Sequence, residues 1–147
     1  MKISEALVGV SRLFLDTAPV IYLVERNPQF VDLVEPIFER LSTDITAVAS
    51  GITLSECLVG AISLGLVDLE QAFVDVLQQE QVIFVDINAA IAREAARIRV
   101  RYQLHLPDAL QMAAALMAGC EAFLTNDVAL KRVTKLRVLV VSELEVE

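Results

Sequence analysis

Apolar residues run along this chain in two alternating rhythms. Short runs that are apolar at nearly every position, rich in β-branched and aromatic residues, cover 12–15, 46–49, 82–85, 122–124 and 136–141. Strands buried on both faces read this way, as they do in parallel sheets. Between them lie longer stretches with apolar residues every three or four positions, which predict helices. One begins near Pro19, whose missing N–H does no harm in a first turn. A second covers about 28–41, with Pro36 expected to kink it or split it in two. Others cover 53–64, 69–79, 89–102 (Ile91, Ala95, Ile98 and Tyr102 inward) and 107–118, the last ending near Gly119. Ile3, Ala6, Leu7 and Val10 recur at helical spacing, so residues 1–10 are read as an N-terminal extension with helical character. No repeat, linker or low-complexity segment breaks the pattern. The expectation is one domain over 1–147 of the α/β class, with strands and helices alternating around a parallel sheet.

Composition narrows the chemistry. The chain has 147 residues, 56% of them hydrophobic, and a mean hydropathy of +0.60. That is material for a sizeable core. Charged residues make up 22%, with 5 Gly and 4 Pro, a composition that argues against extensive disorder. No apolar run reaches the roughly 18 residues of a membrane span, and the first dozen residues lack the basic start and apolar stretch of a signal peptide. A cytoplasmic protein is expected. Two cysteines, Cys57 and Cys120, and one histidine, His105, cannot build a thiolate or histidine metal centre. There is no G-x-S-x-G elbow and no glycine-rich phosphate loop. Chemistry must rest mainly on carboxylates.

The acids fall at telling places. Asp16, Asp86 and Asp127 each follow an apolar strand, and ligands of open parallel sheets bind beyond the carboxyl ends of the strands. A strand-end Asp is also a common helix cap; Asp86, with Asn88 opening a helix, is read as structural. Glu56 shares a helix face with Ile52 and Val59, which a surface Glu would avoid. Asp108 follows Pro107 at the head of an Ala-rich helix, where an acid also suits the helix dipole.

Taken together, Leu15-Asp16-Thr17, Thr53-Leu-Ser-Glu56, Leu106-Pro-Asp108-Ala-Leu and Phe123-Leu-Thr-Asn-Asp127 resemble a PIN-domain ribonuclease of the VapC toxin type. The resemblance spans about 12–142, and the acid spacings of 40, 52 and 19 residues suit it. It implies a three-layer α/β/α sandwich around a parallel sheet of four or five strands in the order 3-2-1-4-5, with Asp16 ending the central strand. It implies an acidic metal-binding pocket of Asp16, Glu56, Asp108 and Asp127, with Asp16 and Asp108 as the first direct ligands, Glu56 holding a metal-bound water or a second metal, Asp127 a ligand or an outer acceptor, and Thr17, Thr125 and Asn126 orienting carboxylates or water. The implied reaction is hydrolysis of RNA, leaving a 5′-phosphate and a 3′-hydroxyl. The implied partners are a small antitoxin and a second copy of the chain. The departures from the family pattern are residues 1–10 and Pro36.

Physics points independently to a cation. Four carboxylates gathered about 7 Å apart would repel one another by roughly 14 kcal/mol in total at an effective dielectric of about 20. That matches a whole domain's net stability, about 5–15 kcal/mol. Such a pocket must take up protons or a cation, and all-oxygen ligands suit Mg²⁺ or Mn²⁺.

Charge adds a surface. The net charge is −8, yet 93–137 carries +4 and the remainder −12. Arg93, Arg97 and Arg101, at i, i+4 and i+8, form a stripe opposite the apolar face of their helix and are candidates for RNA phosphates. The helices near 18–24 and 30–38 hold more large apolar residues than a core needs, which suits a partner helix in a groove. His105 is read as a loop residue. Rival readings are a PIN scaffold that only binds, and a phosphoacceptor receiver module with Asp86 as acceptor and Thr125 as switch. The receiver fits poorly, because the gap from Asp86 to Thr125 is long for one βα unit and no Lys follows the last strand. A haloacid-dehalogenase-type phosphatase needs a second Asp where Ala18 stands.

Overall fold

The two sequence rhythms become strands and helices in a computed structural model that describes residues 1–147. In chain order the elements are α1 (Ile3–Ala6), β1 (Arg12–Leu15), α2 (Thr17–Val24), α3 (Val31–Leu41), β2 (Thr46–Ser50), α4 (Gly51–Ser63), α5 (Val67–Leu77), β3 (Ile83–Val85), α6 (Ala89–Tyr102), α7 (Leu106–Met117), β4 (Ala122–Thr125) and β5 (Arg137–Val140). Short 3₁₀ turns follow β4 and β5. The five strands are all parallel in the order β3-β2-β1-β4-β5. Phe14 stands opposite Val48 on one side and Phe123 on the other.

Alternation along the strands assigns each face its own core. Leu13, Leu15, Ala47, Ala49 and Leu124 pack with α1 to α5, around Val34, Ile37, Phe73 and Leu77. Phe14, Val48 and Phe123 point the other way, onto α6 and α7. The Phe14 and Phe123 rings stack at 5.1 Å between centroids. Strand order reverses between β1 and β4, so their carboxyl ends flank the crevice where open α/β sheets bind ligands.

Three local expectations sharpen. Of the two outcomes expected at Pro36 the split is excluded: α3 is one helical element from Val31 to Leu41. Proline removes a single ladder bond there, while Val34 and Ile37 on either side are fully buried and hold the helix to the core. Residues 28–30 are not helical. The Asn27 side chain accepts hydrogen bonds from the N–H groups of Gln29 and Phe30, a local turn that competes with helix. The N-terminal stretch holds only one short helix, and Ile3, Ala6, Leu7 and Val10 are all buried. It is tied to the other terminus: Ile3 N–H donates to the Glu145 carbonyl at 3.1 Å, and Ser4 Oγ to Glu147 Oε2 at 2.8 Å. No helix is long and apolar enough to cross a membrane.

Candidate functional site

Asp16 leaves β1 at its carboxyl end and caps α2. Its Oδ1 accepts from the Thr17 N–H at 2.9 Å and its Oδ2 from the Thr125 hydroxyl at 2.7 Å. Thr125 ends β4, and its Oγ1 in turn accepts the Asp127 N–H at 3.1 Å. Thr17 Oγ1 donates to Glu56 Oε1 at 2.7 Å, which turns the Glu56 carboxylate of α4 toward the end of β1. Asp108 lies in the first turn of α7. Asp127 caps the following 3₁₀ turn, its Oδ1 accepting from Ala129 N–H at 3.0 Å.

The acids feel one another. Burial pushes the Asp16 carboxyl up to about 6; its two hydrogen bonds oppose that shift, and the charges of Asp108 and Glu56 reinforce it. Burial also raises Asp108, helped by Asp127 and Glu56 and opposed by His105. None of the four acids forms an ion pair with Lys or Arg. The gathering is loose, however. No three His, Cys, Asp or Glu side chains approach closely enough to enclose one ion between them. A cation here would take one or two carboxylates directly and the others through water.

Asn126 hydrogen-bonds to none of the four carboxylates: its Nδ2 donates to the Tyr22 hydroxyl at 2.9 Å and its Oδ1 accepts from Ser142 N–H at 2.9 Å. It braces the β4 end against α2 and the chain after β5. Glu56 is exposed, and so is Val59 at 64%; the face they share is open, and the core face of α4 is Thr53, Cys57 and Ala61. Asp86 follows β3, an edge strand, far from the β1–β4 crevice in strand order, and Asn88 caps α6 in its place. His105 is an exposed residue at the start of α7.

The arginine stripe lies on the exposed side of α6. Arg97 pairs with Glu94 at 3.3 Å, an acid also 3.5 Å from Lys135. Arg93 and Arg97 border Leu116 and Met117, at the end of α7 remote from Asp108. Arg101 lies over the Tyr102 ring at 5.3 Å, nearer the loop that leads into α7. Two arginines outside the stripe hold that loop: Arg99 donates to the Leu104 carbonyl at 2.6 Å and Arg132 to that of Gln103 at 3.2 Å. Sequence spacing alone does not single them out. It also passes over Ser50, Thr53 and Gln111, which with Thr125 are the only buried polar residues of the chain. The one available clue is Gln111 itself, a polar position inside the Ala-rich stretch of α7.

The PIN domain model matches residues 13–136. The chain belongs to the PIN-domain family. Solved structures share this PIN fold. VapBC2 from Rickettsia felis, bound to a DNA fragment from its promoter, aligns with a TM-score of 0.71 at 19% identity, over 88% of this chain and 98% of that one. A toxin–antitoxin complex from Klebsiella pneumoniae gives 0.68 at 24% identity, over 88% and 97%. VapC20 of Mycobacterium tuberculosis, a sarcin–ricin-loop-cleaving toxin, gives 0.64 at 15% identity, over 76% and 86%. No curated protein sequence matches the chain.

Proposed function

We propose that this PIN-domain chain is a Mg²⁺- or Mn²⁺-dependent ribonuclease, the toxin of a toxin–antitoxin pair. One observation carries the reading: Thr17 ties Asp16 to Glu56, Thr125 ties Asp16 to Asp127, and Asp108 feels Asp127 and Glu56, with no Lys or Arg paired to any of the four. Carboxylates and hydroxyls are the hard donors those cations take, and Mg²⁺ commonly uses one or two carboxylates and keeps several waters. The wide spacing of the acids suits that habit. Asp16 and Asp108 would hold the ion, with Glu56 and Asp127 at its water shell, and it would supply positive charge against the scissile phosphate and acidify a water.

The chain's own residues do the positioning. Thr125 and Thr17 N–H fix both oxygens of Asp16, and the Thr17 hydroxyl fixes Glu56. Hydrolysis adds water at phosphorus and breaks the bond to the 3′ oxygen, which leaves protonated; the products carry a 5′-phosphate and a 3′-hydroxyl. Arg101, with Arg97 and Arg93 beyond it, supplies positive charge along the flank for neighbouring phosphates. Exposed Val59, Ile62 and Val67, with half-buried Tyr22, Leu23 and Phe30, offer apolar surface for a small antitoxin or a second copy of the chain. The structures from Rickettsia felis and Haemophilus influenzae are of VapBC2 and VapBC-1, which supports the antitoxin reading.

RNA incubated with the purified chain should be cut when Mn²⁺ is present and left intact with EDTA, and Asp16→Asn should abolish cutting without unfolding the protein. Expression of the wild-type chain alone should arrest growth, and Asp16→Asn should relieve the arrest. The loose spacing of the acids also favours a second reading, a scaffold that binds RNA without cutting it. An Asp16→Asn variant that matches the wild type in every assay, together with metal-independent RNA binding, would establish that alternative.

A further inference from the structure

We propose that Ser50, Thr53 and Gln111 form a buried clasp that positions Glu56 and Asp108 against Asp16. The clasp rests on the nuclease reading for what these acids do. Its geometry is independent of that reading. Ser50 Oγ donates to Gln111 Oε1. Gln111 Nε2 donates to Thr53 Oγ1 at 2.8 Å, and Thr53 Oγ1 donates to the Leu15 carbonyl at 3.1 Å. The Ser50 N–H closes the set onto Thr53 Oγ1 at 3.4 Å. All three residues are at most 1% exposed, and no buried side-chain polar atom of the chain lacks a partner.

Two members and the carbonyl they hold lie close to acids in sequence, and Ser50 ties the two members together. Leu15 precedes Asp16, Thr53 is three residues before Glu56 on α4, and Gln111 is three after Asp108 on α7. Residues three apart on a helix are neighbours, so exposed Glu56 stands at the border of the core face of α4 that carries Thr53. The clasp therefore joins β1, α4 and α7 immediately beneath the positions where they present carboxylates. Packing alone does not require it. Gln111 is surrounded in sequence by Ala109, Met112, Ala113, Ala114 and Ala115, all fully buried, where an apolar side chain would be cheaper to bury than an amide. A fully satisfied polar network instead specifies one relative placement of the elements it joins. That is what three like-charged groups need if they are to stay together, because their repulsion pushes α4 and α7 away from β1.

The test uses the full-length chain in four forms: wild type, Gln111→Met, Thr53→Val and Thr53→Ser. In cation-free protein, relaxation-dispersion NMR should show new millisecond exchange at the Glu56 and Asp108 amides in Gln111→Met and Thr53→Val. Thr53→Ser, which keeps the hydroxyl, should match the wild type. Calorimetric Mn²⁺ affinity should weaken by roughly 10–100-fold in the first two variants, the usual effect of losing a group that orients a ligand. The kcat for RNA should fall while KM stays unchanged. Wild-type exchange and wild-type Mn²⁺ affinity in a folded Gln111→Met would overturn the clasp. If Gln111→Met does not fold, equal behaviour of Thr53→Val and Thr53→Ser would overturn it. A wild-type chain that neither binds Mn²⁺ nor cuts RNA would instead overturn the nuclease reading, and the NMR comparison would still decide the clasp.

Discussion

Asp16 accepts a hydrogen bond at each carboxylate oxygen and yet keeps its proton up to about pH 6. Those bonds favour the charged form, so burial and the neighbouring acids must outweigh them. In the unfolded chain the same carboxyl titrates near 3.8. The folded state thus holds this proton more tightly. The stability it brings is complete below about pH 3.8 and is lost as pH rises through about 6. That difference corresponds to roughly 3 kcal/mol. Asp16→Asn carries no charge to bury, though it gives up part of the hydrogen bonding. Without divalent cations at pH 7, it should therefore be more stable than the wild type by about 1–3 kcal/mol. At pH 4 the gain should vanish. Urea unfolding at the two pH values checks this, and a wild type as stable as Asp16→Asn at pH 7 would contradict the raised pKa. Asp16 also shows why sequence alone leaves two readings of a strand-end aspartate open. In the structure it caps α2 and also feels the charges of Asp108 and Glu56, since a carboxylate at the end of β1 adjoins both the next helix and the crevice.

Elements are readable in this chain because burial follows period. Runs apolar on both faces become the five strands, and 89–102 becomes α6 with its expected inner face. What the pattern does not supply is any feature decided by a partner distant in sequence. Ile52 and Val59 flank Glu56 and suggest a buried face, but Val59 is 64% exposed. Periodicity locates a face without saying what covers it. Gln111 resembles a solvent-facing position on an amphipathic helix, and only the sheet beneath α7 makes it internal. Pro36 is a helix breaker by local rules, whereas tertiary packing decides whether its helix survives. The Phe14–Phe123 stack lies between β1 and β4, two residues before Asp16 and Thr125. Both rings are fully buried. Phe123→Ala should cost about 3–5 kcal/mol by urea unfolding, as deletions of a core ring do. It should also weaken Mn²⁺ binding, since the two strand ends would lose their common support. Phe123→Leu should cost less on both measures.

At the scale of the whole molecule, the proposed ribonuclease activity asks an acidic protein to draw in a polyanion. The net −8 opposes that, so approach must follow the region that carries +4. Within that region the arginines are not equivalent. Asp108 and Met117 are nine residues apart on α7, and Met117 lies beside Arg93 and Arg97. At about 1.5 Å of rise per residue, the helix advances roughly 13 Å between them. Arg97 is further discounted by its pairing with Glu94. Arg101 and Arg132 flank the loop that runs into Asp108, and Arg132 ends the turn that Asp127 caps. On the ribonuclease reading, a phosphate next to the scissile one would meet these two first. Each phosphate contact to single-stranded RNA contributes about −0.7 to the slope of log affinity against log salt. Arg132→Gln and Arg101→Gln should each flatten that slope by about this amount and weaken RNA binding by the Asp16→Asn chain, used so that the RNA stays intact. Arg97→Gln should do less and Arg93→Gln least. Fluorescence anisotropy across a salt series gives the four slopes side by side. Equal slopes in all four variants would mean that RNA enters from another side of the sheet, and a reversed order would place the 3′ or 5′ flank along the outer face of α6.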